Sequence, residues 1–326
     1  MSQYVTNVGG WSSFDKYPRY VADVNGDGKD DVVGFGETNT FVGLSDGSSF
    51  GAPATWIHQF TPSAGGWSSF NKYPRMMADV NGDGKADIVA FGLDHVYVAL
   101  STGSSFSGST VWHNLFNYNG GGWTSYDKYP RAVVDVNGDG KADIVGFGES
   151  HTYVSLSTGS SFGAPATWIN HFTPSAGGWS SYDKYPRVMA DVNGDSKADI
   201  VAFGLDHVYV ALSTGSSFSG GTVWHSNFNY NGGGWISQNT YPRTVVDING
   251  DGKADIVGFG KDHVYTGISS GYGFGMGTLP VESYVVNKGG WSSFDTYPRC
   301  AGDVTGNGKA DIVGFGADAV YVTRSI

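Results

Sequence analysis

The 326-residue chain has a single cysteine, Cys300, which excludes a framework of intramolecular disulfides. Packing or bound metal must supply the stability that bridges would otherwise give. Basic residues are scarce too. Nineteen Lys and Arg against 30 Asp and Glu leave a formal charge of -11, which argues against a nucleic-acid backbone as partner. No stretch approaches the roughly 18 consecutive apolar residues of a membrane span, so membrane insertion is not expected. The start, "MSQYVTNVGGW", lacks a basic region followed by an apolar core. The reading is a soluble chain without a classical signal, cytosolic or released by a non-classical route. Helical periodicity is missing from every long stretch. Missing as well is an asymmetric constellation of nucleophile and base, a carboxylate pair across a cleft, or P-loop spacing, so no enzyme is expected.

What the sequence has in abundance is repetition. The tryptophan of "GGW" falls at Trp11, Trp67, Trp123, Trp179, Trp235 and Trp291, a period of 56 residues. Short apolar runs separated by Gly, Asn, Asp and Ser, with 51 glycines and 15% aromatics, mark an all-β protein. Each copy offers four strand-like runs, in the second copy "YPRMMADV", "ADIVAFG", "HVYVALS" and "STVWHNLF". Four short antiparallel strands per unit make a propeller blade, so six copies predict a six-bladed β-propeller of four-stranded blades in one domain, 1–326. The repeats run at about 11–66, 67–122, 123–178, 179–234, 235–290, and 291–326 plus 1–10. Tyr4 lies five periods before Tyr284, so the amino terminus is expected to supply the fourth strand of the last blade and close the ring. A second period of 112 ("SFGAPATW" at 49–56 and 161–168) points to duplication of a blade pair.

Within each copy an acidic loop places oxygen-bearing side chains at positions 1, 3, 5 and 9, with a lysine carbonyl at position 7. These are Asp23, Asn25, Asp27, Lys29 and Asp31; Asp79, Asn81, Asp83, Lys85 and Asp87; Asp135, Asn137, Asp139, Lys141 and Asp143; Asp191, Asn193, Asp195, Lys197 and Asp199; and Asp247, Asn249, Asp251, Lys253 and Asp255. Alternate oxygens in a tight glycine loop suit a hard cation, so structural calcium (Ca2+) is expected in several blades. The other reading is an Asx-rich turn whose aspartates cap backbone N–H groups without metal. Ser196 replaces a turn glycine in the fourth loop, and Thr305 and Asn307 weaken the sixth. The loop is not an EF-hand, because position 12 is Gly34 and a strand follows.

"DVNGDGKADIVGFG" resembles the FG-GAP repeat of integrin α-subunit propellers and their bacterial and fungal relatives, in which such loops bind calcium. The soluble single-domain form resembles the propeller lectins typified by the Psathyrella velutina lectin. That resemblance implies sugar pockets between neighbouring blades and terminal N-acetylglucosamine-type ligands, although six blades rather than seven keep individual pocket residues from being carried over.

Strand parity locates a candidate site independently. The loop between second and third strands must lie opposite the acidic loop, beside the "GGWSSFNKYPR" connection between blades. There stand Trp67, Trp123, Trp179 and Trp235, the arginines Arg75, Arg131 and Arg187, the histidines His95, His151, His207 and His263, and Asp94, Asp206 and Asp262. Aromatic faces with carboxylate, imidazole and guanidinium groups suit a sugar's C–H faces and hydroxyls. Each also has a structural reading: the tryptophans as wedges between sheets, the arginines as ion-pair partners, the histidines as loop residues. Tyr17 and Pro18 read as the start of a strand. Asn39, Ala319 and Gln238 depart from their columns, so pockets built on them should differ. Near-identical repeated pockets favour a multivalent carbohydrate-binding protein whose partners are glycans or glycoconjugates. The alternative is a protein-binding propeller scaffold. Oligomeric state is unknown from sequence.

Overall fold

The computed structural model describes residues 3–281 and 283–325. It is a six-bladed β-propeller. Successive antiparallel sheets follow chain order, five with four strands and the last with three among the described residues. In blade two the strands are Arg75–Ala78, Asp87–Phe91, Val96–Ala99 and the outer Thr110–His113. No helix of the described residues is long and apolar enough to cross a membrane.

Contacts divide the chain into two units. One, comprising Met1–Tyr126, Ser157–Phe162 and Asp295–Ile326, holds blades one, two and six. The other, Asp127–Leu156 and Gly163–Phe294, holds blades three, four and five.

The burial pattern follows from the sequence of each strand. The second strand reads "DIVAF" or a close variant and is buried at every position, as a continuous apolar run must be when both sheet faces are covered. The outer strand alternates less and exposes its first two residues. In the first unit a core between blades one and two joins Phe35, Trp56 and Phe60 to Trp67, Ile88 and Phe106. In the second, a core between blades three and four joins Phe147, Trp168 and Phe172 to Trp179, Ile200 and Phe218. Polar latches accompany the apolar contacts. Ser101 Oγ donates to the Val24 carbonyl of the preceding blade at 2.5 Å, and Ser213 and Ser269 repeat the bond to Val136 and Val192 at 2.6 Å.

The amino terminus differs from expectation. Tyr4 corresponds to Phe60, and Phe60 stands beyond the outer strand Ala54–Ile57 of its blade, so residues 3–9 match the connection after a fourth strand and form turns. Tyr4 and Val5 still bury themselves against Val313 and Phe315 of the last blade, and Asn7 N–H donates to the Ala317 carbonyl. Residues 3–10 hold no strand, so the expected closing strand is not found among the described residues.

Candidate functional site

The acidic loops lie with the third-to-fourth-strand loops at one end of each blade. In blade two, Asp79 Oδ1 accepts the Gly82 N–H at 2.7 Å, its Oδ2 accepts the Gly84 N–H at 2.7 Å, and Asn81 Oδ1 accepts from Asp83 N–H at 3.0 Å. Asp87 is buried and accepts from Val80 N–H at 3.2 Å and Ser101 N–H at 2.7 Å. Burial pushes its carboxyl up to about 7, against the lowering effect of those two N–H groups. The Lys85 ammonium sits 2.9 Å from Asp83 Oδ2. Its stem packs over the preceding blade's loop, where a Cβ on Gly26 would meet Lys85 Cγ at 3.1 Å. Lys197 and Lys253 repeat both features on Gly138 and Gly194.

This arrangement bears on the expected calcium. The donor set is right in kind, but the position-1 and position-9 carboxylates are committed to N–H groups and an ammonium already faces the position-5 carboxylate. Among the described residues no group of three His, Cys, Asp or Glu is gathered so as to hold a metal. The hydrogen bonds are those of the Asx-turn reading, with lysine as an internal counter-ion, and each carboxylate keeps acceptor capacity beyond the N–H groups it binds. In the fourth loop Ser196 does adopt φ 65°, the left-handed conformation that glycine holds in the other copies.

At the opposite end the connection between blades folds over the second-to-third-strand loop: Tyr118 N–H donates to the Gly92 carbonyl at 3.1 Å and Asn119 N–H to that of Leu93 at 2.8 Å. Between blades one and two this leaves a cavity of about 620 Å³. Blade one contributes His58, Gln59 and Phe60; the connection contributes Gly65, Gly66 and Trp67; blade two contributes Tyr73, Leu93, Asp94, Tyr97 and Ser109. Blades four and five enclose a second cavity of about 350 Å³ with Trp235, Tyr241, Lys261 and Tyr265 among its walls. None of the acidic-loop residues lines either one.

The expected site residues distribute unevenly around these cavities. Trp67 and Trp235 line them but are 7% and 5% exposed, and Trp123 and Trp179 are buried to the same degree. Trp67 packs edge-on to Tyr73 and Tyr97, at ring distances of 6.2 Å. Its indole Nε1 approaches Gly65, where a Cβ would come within 2.6 Å and where φ is 101°, so this turn requires glycine twice over. Asp94 lines the first cavity and accepts from Asn119 Nδ2 at 2.7 Å; Asp206 and Asp262 accept likewise from Asn231 and Asn287 at 2.8 and 2.6 Å.

The arginines are interior. Arg75 is 0% exposed; its Nη1 donates to the Phe60 carbonyl at 3.0 Å, its Nη2 to that of Lys16 at 3.3 Å, and its guanidinium lies 5.4 Å from the Phe35 ring centre. Burial pulls its pKa down to about 10. Arg187 binds the Phe172 carbonyl at 3.1 Å in the same way, and Arg131 is equally buried. The carbonyls they hold belong to strained residues, since Phe60 and Phe172 have φ of 62° and 61°, outliers for a bulky side chain. Arg75 is thus neither a cavity wall nor an ion-pair partner but the clamp on the turn that presents Phe60. In blade five Gln238 joins the clamp, accepting from Arg243 Nε at 3.3 Å and donating to its carbonyl at 2.7 Å.

His95 and His263 do not line the two cavities. His95 Nδ1 lies 2.9 Å from Asn114 Oδ1, His151 Nδ1 lies 2.7 Å from Ser150 Oγ, and His207 packs edge-on to Tyr209. In blade one the pair is exchanged: Asn39 Oδ1 meets His58 Nδ1 at 2.6 Å, and His58 is the cavity residue. The columns of positions 39 and 58 show this swap only when read together. Tyr73 and Tyr241 also line cavities, so the tyrosine of "YPR" is a wall and not merely the start of a strand. In blade one the equivalent Tyr17 hydroxyl donates to Glu37 at 2.5 Å beside Lys16, contacts that hold the Glu37 carboxyl down at about 2.

Known proteins share these features. The FG-GAP-like repeat family matches residues 23–90, 79–146, 135–202 and 191–258. Among solved structures, an Agrocybe aegerita lectin described for specific recognition of non-reducing terminal N-acetylglucosamine is 33% identical, with a TM-score of 0.77, over 99% of this chain and 83% of that one. A chain of the Photorhabdus luminescens Tc holotoxin pore is 18% identical with a TM-score of 0.61, over 96% of this chain and 14% of that one, a likeness of fold alone. No curated protein matches significantly. The chain belongs to the FG-GAP-like repeat family.

Proposed function

We propose that this protein is a non-enzymatic, multivalent lectin that takes non-reducing terminal N-acetylglucosamine-type sugars in cavities between adjacent blades. The observation that carries the reading is the likeness, over nearly the whole chain, to a lectin of that specificity. The cavity between blades one and two supports it with chemistry. Tyr73 and Tyr97 offer aromatic surface to C–H faces, while Asp94, His58 and Gln59 offer acceptors and donors to hydroxyl and acetamido groups. Its volume of about 620 Å³ falls within the range of small-ligand pockets. Repetition of such walls gives several weak sites, which a surface bearing clustered glycans converts into avidity. A glycan array is the direct test. Strongest binding is expected on glycans ending in N-acetylglucosamine, with competition by the free sugar; a blank array beside capture of a protein ligand by the same face would replace the lectin with a scaffold.

A further inference from the structure

The two cavities occupy the same place in different copies of the repeat but differ in volume, about 620 Å³ against about 350 Å³. Their inner walls share three aromatic pairs and differ where Leu93 gives way to Lys261. Trp67 and Trp235, Tyr73 and Tyr241, and Tyr97 and Tyr265 stand at corresponding positions, each separated by three periods. The outer wall differs as well. The smaller cavity is bounded there by Met276, and the strand register puts Ser109, a wall of the larger cavity, in that place in the second copy.

Blade five is built to hold that methionine in place. Its outer strand, Phe274–Leu279, pairs without interruption along Val264–Ser269, with Met276 opposite Gly267. In blade two the register shifts between Val96 and Tyr97, and the outer strand starts only at Thr110. Met276 is 56% exposed, and its Sδ accepts from Asn227 Nδ2 at 3.5 Å. Asn227 belongs to the segment leaving blade four and is itself a cavity residue, so amide and thioether together span the mouth from one blade to the next. In blade two Ser109 holds that place, and its N–H donates to Gln59 Oε1 at 3.1 Å across the mouth.

We propose that Met276 is a specificity-determining gate. Resting on the lectin reading above, the cavity of blades four and five admits a terminal sugar ring alone, whereas that of blades one and two also admits the sugar to which the terminal ring is linked. One molecule therefore carries sites of two ligand lengths. The side chain at the place shared by Ser109 and Met276 sets the length, by filling or leaving open the path that the second ring must take.

The test uses the full chain, with the indole N–H resonances of Trp67 and Trp235 as reporters and N-acetylglucosamine and its β-linked disaccharide as ligands. In the wild type the disaccharide should be preferred over the monosaccharide about tenfold more strongly at Trp67 than at Trp235, the scale of one or two added polar contacts. Met276→Gly should raise the preference at Trp235 to that at Trp67, and Ser109→Met should abolish it at Trp67. A preference at Trp235 that Met276→Gly leaves unchanged, while the monosaccharide still binds, overturns the gate and leaves the lectin standing. Absence of any response to either sugar at either indole in the wild type overturns both.

Discussion

Ser196 shows how a single residue can be read from conformation alone. It sits at φ 65° where the corresponding loop residues are glycine, so its Cβ meets the steric cost of the left-handed region without a compensating role. Ser196→Gly should therefore stabilise the protein by about 1 kcal/mol, measured as a rise in the urea midpoint at unchanged slope. No change would mean that Ser196 is held there by a contact worth as much as the strain. The same residue-by-residue view separates core from contact at the cavities. Trp67 touches the cavity with an edge while its ring fills the seam between blades one and two, and truncating so large a buried ring costs about 3–5 kcal/mol. Loss of binding in a Trp67 variant would consequently report on the seam. Asp94, exposed and lining the same cavity, is the cleaner probe of recognition.

Among the elements, the acidic loop is the most repeated. Its oxygen spacing is legible in the sequence, but spacing leaves open what each carboxylate faces. The fold turns Asp87 inward to the Val80 and Ser101 N–H groups and brings the Lys85 ammonium onto Asp83. One of the loop's charges is thus offset from within, and the lysine stem ties the loop to its neighbour. Chelator should leave the melting temperature unchanged, while Lys85→Ala should lower it, because it removes both the counter-ion and the stem packed on Gly26. A melting temperature that falls on chelation and returns with calcium would show that the loops rearrange around metal. The connection between blades held a different obstacle. "YPR" reads as the start of a strand, which Arg75 indeed begins, yet the residue two places earlier, Tyr73, ends in the cavity because the Phe60 turn opens beside it.

At the scale of the whole molecule, the fold was legible because a period of 56 forces every copy to solve the same packing problem, and a continuous run such as "DIVAF" has one stable place in a blade. The site was less legible where its parts lie far apart in sequence. Position 39 and position 58 exchange Asn and His between blades one and two, a relation visible only once strands bring the two columns into hydrogen-bonding distance. Met276 likewise looks like neutral variation in a glycine-rich stretch until strand register sets it in the place of Ser109 at a cavity mouth. Departures from the repeat are therefore where the copies acquire individual properties, and the conserved frame is what places those departures at a ligand.

The most direct measurement is a crystal structure of the full chain soaked with N-acetylglucosamine. The account predicts sugar density between blades one and two against Tyr73 and Asp94, and between blades four and five against Tyr241 and Lys261, with the acidic loops free of sugar. Density confined to the acidic-loop end, or cavities that stay empty at a concentration where the same sugar binds in solution, would contradict it.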